Sequence, residues 1–268
     1  MKNIIIAAGY ATRLYPLTEN FPKPLLKVGE RTILDRILDD VDTIDDVEEH
    51  VVVTNHKFAH IFEQWARERA SRTQDKALSA GQTCQPKSVR IIDDGTSTNE
   101  TRLGAVRDLL LAVTGDPDGA PSADASAPFC DDIMVLAADN ILDFSLQGFV
   151  DFFKQKATSV IMCHHEPELK KLQRTGVIAV DENMRVLEMQ EKPEVPVSHW
   201  AVPPFYIYKK DDLPLICDCL NHGCGFDAPG NLAHYLVGVT TLHAWQMPGK
   251  RFDIGSLDSY EEAQRVFA

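Results

Sequence analysis

Ile6–Thr18 has the sequence IAAGYATRLYPLT, and Phe21–Leu26, with the sequence FPKPLL, follows shortly after it. The apolar run Asn3–Ile6 comes immediately before and predicts a buried strand. Small residues after such a strand predict a loop whose backbone N–H groups can cradle phosphate oxygens. The loop has neither the Gly-Lys-Ser/Thr ending of a Walker loop nor the G-x-G-x-x-G of a dinucleotide site.

The residue types in this stretch suit a triphosphate. Gly9, Ala11 and Thr12 are small enough to let a triphosphate approach the backbone. Arg13 adds a planar, permanently charged fork that matches phosphate geometry. Lys23 stands between two prolines, so its backbone is stiff and its ammonium group is directed.

Together these residues resemble the signature of the sugar-phosphate nucleotidylyltransferases, G-x-G-T-R-L-x-P-L-T followed by P-K-P-L. The second glycine of the signature is Ala11 here, which keeps its N–H for phosphate if its φ is negative. The resemblance implies catalytic roles for Arg13, Lys23 and Asp139. It implies nucleotide binding by Ala8, Gly9, Tyr10, Ala11, Thr12, Arg13, Lys23, Asn99 and Gly104.

Composition narrows the class of protein. Of the 268 residues, 44% are hydrophobic and 25% are charged, as in a globular protein. The net charge of −13 argues against a nucleic-acid binder and requires a locally cationic site for anionic substrates. There is no run of 18 apolar residues to span a membrane, and a strand beginning near Lys2 leaves no room for a signal peptide. We therefore expect a cytoplasmic protein, and a homo-oligomer is left open.

The cysteines are expected to be free thiols, because the chain has no signal peptide and is long for a disulfide scaffold. They are Cys84, Cys130, Cys163, Cys217, Cys219 and Cys224. A zinc site formed by the last three with His222 is the alternative, although the spacing is not C-x-x-C.

Alternating strand and helix patterns predict an α/β protein with a mixed, mostly parallel central sheet flanked by helices. Strands are predicted at Asn3–Ala7, His50–Thr54, Ser88–Ile92, Ile133–Ala137, Ser159–Cys163, Val177–Val180, Val186–Met189 and Phe205–Tyr208. Helices are predicted at Thr32–Val41, Phe58–Ala70, Glu100–Val113, Phe149–Lys156, Leu213–Leu220, Asn231–Val237 and Ser259–Phe267. The polar stretches Ser71–Lys87 and Gly115–Pro128 are predicted to be loops. The resemblance implies a Rossmann-like, GT-A-like nucleotidyltransferase fold in one domain, with a nucleotide-binding half over about 1–150 and an acceptor-binding half over about 151–268.

Two aspartates are candidates for a metal site. Asp139 ends the apolar strand that starts near Met134, and Asp253 precedes Gly255 and the last helix. They resemble the family's metal pair in its G-D-N-like and W-x-D-I-G-like motifs, with Ala138 and Phe252 replacing the glycine and the tryptophan. Two carboxylates with phosphate oxygens and water suit Mg²⁺, which is the predicted cofactor.

The block from Gly176 to Glu191-Lys192-Pro193 resembles the family's Y-G-V-x-x-x-D…V…E-K-P pattern. By resemblance, Glu191 accepts from acceptor hydroxyls, Lys192 binds the acceptor phosphate, and Gly176 lets the backbone approach the acceptor. Tyr206 is a further acceptor-binding candidate. Pro203-Pro204 departs from the family pattern and is expected to reshape the pocket floor, since it removes two N–H donors.

The segment before the third predicted helix meets the nucleotide base in the resembled family. Asn99 could hydrogen-bond a base edge, but capping of this helix by Asn99 is the favoured interpretation. Asp227-Ala228-Pro229-Gly230-Asn231 is a further local motif, to which the sequence assigns no role.

The predicted reaction is Mg²⁺-dependent transfer of a nucleoside monophosphate from an NTP to a sugar 1-phosphate, with release of pyrophosphate. One alternative is a CTP-dependent cytidylyltransferase for phosphocholine or a phosphonate, with Trp200, Phe205 and Tyr206 as a cation–π wall. The other is a catalytically inactive regulatory protein that binds a nucleotide sugar. The expected partners are an NTP and a phosphorylated small molecule, with neither nucleic acid nor membrane.

Overall fold

The computed structural model of the chain describes residues 1–79, 87–118 and 131–267. The chain forms two compact units, each assembled from separated segments. The first unit comprises Met1–Arg102, Ala137–Leu146 and Gly249–Ala268, and the second comprises Leu103–Leu136 and Gln147–Pro248.

The strands are β1 (Lys2–Ile6), β2 (Lys27–Val28), β3 (Arg31–Thr32), β4 (Glu49–Thr54), β5 (Ser88–Asp93), β6 (Ile133–Ala137), β7 (Asn140–Leu142), β8 (Ser159–His165), β9 (Gly176–Val180), β10 (Val186–Glu191), β11 (Trp200–Val202), β12 (Phe205–Tyr208), β13 (Leu242–Gln246) and β14 (Arg251–Asp253). The α-helices are α1 (Ile33–Val41), α2 (His56–Ser79), α3 (Ala105–Thr114), α4 (Gln147–Lys156), α5 (Leu169–Leu172), α6 (Leu215–Asn221), α7 (Gly230–Val239) and α8 (Leu257–Phe267). Short 3₁₀ turns cover Thr12–Leu14, Lys23–Leu25 and Lys210–Asp212.

In the first unit, β4 lies between β1 and β5, and all three strands are parallel. Val51 of β4 stands opposite Ile4 of β1 and Arg90 of β5. Successive residues of β1 and β4 are apolar and fully buried on both faces, as in a parallel sheet covered by helices. Helix α2 packs on β4 and β5. The two later segments of the unit are joined by the short antiparallel pair β7–β14, one strand from each segment.

Helix α1 shows why the sequence forms a helix at this position. The Thr32 hydroxyl accepts from the Asp35 N–H at 2.9 Å and caps the first turn. Apolar residues then recur with helical spacing, and all of them are buried: Ile33, Leu34, Ile37, Leu38 and Val41.

In the second unit the strand order is β10-β9-β11-β8-β12-β6. Strand β13 lies outside this order and pairs in parallel with β8. The other pairs are antiparallel, so the sheet is mixed. Phe205 of β12 pairs with Leu136 of β6, and Ile207 pairs with both Met134 and Val160. Helix α4 packs on β8 and β13, while α7 packs on β10.

The predicted fold class, an α/β protein with a mixed sheet flanked by helices, is confirmed. The prediction of a loop at Ser71–Lys87 is wrong for Ser71–Ser79, because α2 continues to Ser79; residues 80–86 lie outside the described part of the chain. Most of the predicted loop at Gly115–Pro128 lies outside it as well, since residues 119–130 are not described. Across residues 1–79, 87–118 and 131–267, no helix combines the length and apolar composition needed to cross a bilayer.

Candidate active site

The loop after β1 is held at its start by Asn55, a residue that the sequence reasoning did not identify. The buried Asn55 amide donates to the Ala8 carbonyl at 2.9 Å, and its oxygen accepts from the Phe58 N–H at 3.1 Å. One side chain therefore anchors the loop and caps the first turn of α2. The available signal is a polar residue directly after a strand, β4, whose centre is the buried apolar run Val51–Val53.

Ala11 has φ 47° and ψ 42°, which is the left-handed region. The condition of a negative φ, on which the predicted contact of the Ala11 N–H with phosphate depends, is therefore not met. Its carbonyl accepts from the Thr18 hydroxyl at 2.8 Å and from the Leu14 N–H at 2.9 Å, and these bonds hold the turn. A left-handed non-glycine residue costs roughly 1–2 kcal/mol. A glycine, as in the signature, could adopt this left-handed backbone without that cost.

The other loop residues differ in exposure. Tyr10 is buried and donates to the Thr96 carbonyl at 3.2 Å, and burial raises the pKa of its hydroxyl. Thr12 and Arg13 are exposed, and an added Cβ at Gly9 would meet no atom within 4 Å. Within the described residues the Arg13 guanidinium forms no ion pair or side-chain hydrogen bond. It is therefore available to an anion from solvent.

Lys23 is fixed by two bonds. Its Nζ donates to Asp139 Oδ2 and to the Ile254 carbonyl, both at 2.7 Å, and 11% of its side chain is exposed. Asp139 Oδ1 accepts from Asn140 Nδ2 at 2.6 Å. Burial alone would raise the pKa of the Asp139 carboxyl, but the Lys23 ammonium outweighs it and holds that pKa below its usual range. The structure therefore joins two of the three predicted catalytic residues directly.

Asp253 lies beside Asp139 through the pairing of β7 with β14. Asn140 is opposite Asp253, and the Ile254 N–H donates to the Asp139 carbonyl at 3.0 Å. Over half of the Asp253 side chain is exposed, with its Oδ2 3.6 Å from Arg251 Nη1. Arg251 also donates to Asn140 Oδ1 at 2.6 Å. The sequence reasoning missed Arg251, although residues i and i+2 of a strand share a face.

The acceptor candidates of the second unit lie on β9 and β10. Gly176 and Glu191 are directly opposite each other in this antiparallel pair. Lys192 follows with φ 50°, its Nζ 3.9 Å from Glu191 Oε1. Burial raises the pKa of Glu191, although the charges of Lys192 and His234 oppose the shift. The structure thus places a partly buried carboxylate and an exposed ammonium next to each other.

Tyr206 belongs to the core of the second unit. Its ring is 2% exposed and stacks on Tyr208 with ring centroids 5.6 Å apart. Burial, aided by the charge of Glu191, raises the pKa of its hydroxyl. Phe205 is also buried, and Trp200 lies edge-on to His165 at 5.9 Å. The cation–π wall considered for a choline acceptor is therefore wrong for Phe205 and Tyr206, whose faces are covered by the core.

The structure defines the backbone at two of the nucleotide-binding candidates, Asn99 and Gly104, near α3. Capping of the helix by Asn99 is wrong, because α3 begins at Ala105 with Gly104 as its N-cap. The Asn99 carbonyl instead accepts from Arg102 Nη1 at 2.9 Å. Gly104 has φ 89°, and a Cβ there would lie 2.6 Å from the Phe226 carbonyl oxygen, so only glycine fits.

The cysteine cluster also differs from expectation. Cys219 and Cys224 form a disulfide with Cα atoms 5.6 Å apart, so the expectation of free thiols is wrong for this pair. Cys217 and Cys163 are free, while Cys84 and Cys130 lie outside the described residues. Across the described ranges, no group of three or more His, Cys, Asp or Glu side chains is arranged to hold a metal ion.

The chain belongs to the nucleotidyl transferase family, whose model matches residues 2–268. It is 26% identical to a UTP–glucose-1-phosphate uridylyltransferase of Synechocystis sp., over 99% of this chain and 63% of that protein. It is 24% identical to a uridylyltransferase of the same description from Haloferax volcanii, over 99% and 96%. A glucose-1-phosphate thymidylyltransferase of Neisseria meningitidis is 27% identical, over 78% and 61%. The chain therefore spans about three-fifths of the length of two of these relatives and nearly all of the third.

Solved structures agree on the fold. A UDP-glucose pyrophosphorylase crystallised with UDP-glucose superposes with a TM-score of 0.77 at 20% identity, covering 99% of this chain and 97% of that chain. A UTP-bound enzyme of the same kind from Acinetobacter baumannii gives a TM-score of 0.72 at 19% identity, covering 99% and 92%. The expected nucleotidyltransferase fold is therefore confirmed.

Proposed function

We propose that this protein transfers a nucleoside monophosphate from an NTP to a sugar 1-phosphate and releases pyrophosphate. The observation that carries the proposal is the Lys23–Asp139 pair at 2.7 Å. Lys23 follows closely in sequence on the loop at residues 7–15, here called the phosphate loop, which contains the unpaired Arg13. Family membership supports the reaction class. The uridylyl- and thymidylyltransferases that the chain resembles support glucose 1-phosphate as acceptor and UTP or dTTP as donor.

The reaction needs little covalent chemistry from the protein. An anionic oxygen of the acceptor phosphate attacks the α-phosphorus in line, and the bond from the α-phosphorus to the bridging oxygen breaks as pyrophosphate leaves. No general base is required, because the attacking oxygen carries no proton. Catalysis then comes from positioning and from neutralising charge, for which Arg13 and Lys23 are the candidates. Lys23 suits this role because its two protein bonds leave one of its three N–H groups for phosphate.

Asp139 and Asp253 would hold a Mg²⁺ ion. Their carboxylates flank the β7–β14 pair, and hard oxygen ligands of this kind suit Mg²⁺ with phosphate oxygens completing its shell. When bound, the ion would neutralise charge on the nucleotide phosphates. A site with only two protein carboxylates agrees with the lack of a larger metal-binding group in the described residues.

Glu191 favours a sugar over an ammonium-bearing acceptor. Its Oε1 already faces Lys192 at 3.9 Å, so the carboxylate does not need a substrate cation as its charge partner. Carboxylate oxygens accept readily from the hydroxyls of a sugar ring. The burial of Phe205 and Tyr206 further weakens the phosphocholine alternative. We therefore assign nucleotide binding to the first unit and acceptor binding to the second.

The direct test is pyrophosphate release. UTP, dTTP, CTP, GTP and ATP are each mixed with glucose 1-phosphate, with other sugar 1-phosphates or with phosphocholine. We expect release with UTP or dTTP and a sugar 1-phosphate, loss of release in EDTA, and recovery on adding Mg²⁺. Release with phosphocholine alone, or no release with any pair, contradicts the proposal. Full activity in EDTA contradicts the metal assignment.

Arg13→Ala and Lys23→Ala form a matched pair of variants. Each should lower kcat/KM by about a hundredfold, since a preorganised charge contact is worth about 3 kcal/mol in the transition state. Only Lys23→Ala should also lower the free energy of unfolding, by about 1–3 kcal/mol, because it leaves the Asp139 carboxylate without its partner. Urea unfolding alongside the kinetics separates the two effects. Near-wild-type turnover by either variant contradicts the assigned role.

A further inference from the structure

The segment Asp227–Asn231 has no role in the chemistry described above, yet one of its residues lies against the acceptor carboxylate. Gly230 is buried at the first position of α7, the helix that packs on β10. A Cβ added at Gly230 would fall far inside contact distance of Glu191 Oε2 and 3.2 Å from Glu191 Cδ. Gly230 and the Glu191 carboxylate therefore occupy one shared space.

We propose that Gly230 is a positioning residue: its missing side chain sets where the Glu191 carboxylate lies, and through it the affinity for the sugar 1-phosphate. This inference rests on the proposed function. It gives the unassigned Asp227–Asn231 motif a role in acceptor recognition.

Backbone conformation does not explain a glycine at this position. Gly230 is not among the glycines with positive φ, and it lies in an ordinary α-helix after Pro229. Alanine also has a higher helix propensity than glycine, so helix formation gives no reason for a glycine here. The remaining physical reason is space, and the side chain that takes this space is Glu191.

Glu191 is confined on two sides by glycines. A Cβ at Gly176, its partner across the β9–β10 pair, would lie 3.4 Å from Glu191 Oε2, and Gly230 closes the other side. The terminal methyl of Met189 contacts both glycine positions, at 3.1 Å and 3.3 Å from the added Cβ atoms. The carboxylate therefore has a defined direction, as binding a particular sugar hydroxyl requires.

A methyl group at Gly230 would move side chains and leave the backbone in place. The three heavy atoms nearest to an added Cβ are Glu191 Oε2, Glu191 Cδ and Met189 Cε, all at the far ends of their side chains. Side-chain ends of this kind rotate away at low cost, whereas at Gly104 the added Cβ would meet a backbone carbonyl. Gly230→Ala should therefore fold and shift the carboxylate.

The experiment compares Gly230→Ala with Gly238→Ala. Gly238 is exposed on the same helix, and an added Cβ there meets nothing within 4 Å. We expect Gly230→Ala to raise KM for glucose 1-phosphate about tenfold or more, because displacing a binding group by about an ångström weakens the contact strongly. KM for the NTP should stay within about twofold of wild type, since only the acceptor contact is altered. Gly238→Ala should match the wild type in both.

A double-mutant cycle tests whether Gly230 acts through Glu191. In a Glu191→Ala background the carboxylate is gone, so adding Gly230→Ala should change KM for the acceptor no further. If Gly230→Ala alone does not fold, the double variant should fold as well as Glu191→Ala, because the clash is removed. A double variant that also fails to fold overturns the inference. So does an additive effect on KM.

The proposed function and this inference fail in different ways. If the wild type releases no pyrophosphate with any sugar 1-phosphate, the proposed function is wrong and the inference falls with it. If the wild type is active and Gly230→Ala behaves as Gly238→Ala does, the proposed function stands and the inference is overturned. An equal rise in KM for both substrates also overturns it, since a general structural defect would act on both.

Discussion

Two residues of the candidate site adopt the left-handed conformation that L-residues avoid. Ala11 in the phosphate loop has φ 47°, and Lys192 beside Glu191 has φ 50°. Strained backbone of this kind persists only where surrounding contacts over-determine it. At Ala11 those contacts are the bonds to its carbonyl from Thr18 and Leu14. Both residues therefore lie at positions that the proposed function assigns to nucleotide or acceptor binding.

Ala11→Gly should raise the free energy of unfolding by about 0.5–1 kcal/mol, because relief of the left-handed strain exceeds the entropy gained by the unfolded chain. Ala157→Gly is the matched control. Ala157 has φ 53° just after α4, away from the candidate site, and should show a similar gain. Urea unfolding of both variants measures the effect. A loss of stability in Ala11→Gly alone would mean that the turn has another conformation in solution.

Individual residues also show what a sequence can predict. Arg13, Lys23, Asp139 and Glu191 could be proposed as site residues from a local motif and from the chemistry of their own side chains. A local motif could not identify Arg251, whose role depends on the register that places Asn140 opposite Asp253. Such pairings join residues more than 100 positions apart, and no local pattern encodes them.

At the scale of elements, a buried arginine joins α1 to α2. Asp35, Asp39 and Asp42 recur at helical spacing and face Arg69 of α2, with nitrogen–oxygen distances of 2.7, 3.0 and 2.7 Å. The Arg69 side chain is 6% exposed. Burial alone would raise the pKa of Asp42, but His50 and Arg69 hold it below its usual range. This cluster fixes α2 on the sheet of the first unit through charge as well as apolar packing.

Arg69→Ala should lower the free energy of unfolding by about 3–5 kcal/mol, because it removes the buried guanidinium that Asp35, Asp39 and Asp42 share. Arg67→Ala, exposed on the same helix, is the control and should change stability by less than about 0.5 kcal/mol.

The pH dependence of this stability difference follows from Asp42. The pKa of Asp42 is lower in the folded protein than in the unfolded chain, so its charged carboxylate stabilises the fold above the unfolded-state pKa, near 3.9. That stability is lost as the pH falls through the folded-state pKa. The two variants should therefore converge in urea unfolding as the pH is lowered, and a constant gap would contradict the cluster's role.

Helix and strand cores could be predicted from sequence, whereas several ends could not. The apolar periodicity of α1 and β12 gave their bounds to within a residue. The polar tail of α2 has no apolar stripe that would predict a helix, yet the helix extends to Ser79. Within this tail the Thr73 hydroxyl donates to the Arg69 carbonyl at 2.8 Å. Helix α3 starts late because the turn at Thr98–Thr101 and the φ of Gly104 break the backbone before it. Both ends depend on local geometry that residue type alone does not determine.

At the scale of the whole molecule, the charge of −13 would oppose binding of the proposed substrates, a triphosphate and a sugar phosphate. The first unit offsets this locally with the unpaired Arg13 and with Lys23, whose charge is only partly used by Asp139. The second unit offers Lys192, whose side chain is 56% exposed. Placing cations in both units predicts that each substrate has its own primary contacts.

Hydrogen exchange can test this division directly. UTP alone should slow exchange in residues 7–15 and 23–25 of the first unit, because its phosphates would bind the loop N–H groups and Lys23. Glucose 1-phosphate alone should slow exchange around residues 176, 190–192 and 230 of the second unit. Uridine is the matched control: it carries the base and ribose without phosphates and should leave the loop at 7–15 unprotected. Protection by UTP confined to the second unit would show that the phosphate loop is not the nucleotide site, whatever the outcome of the activity assays.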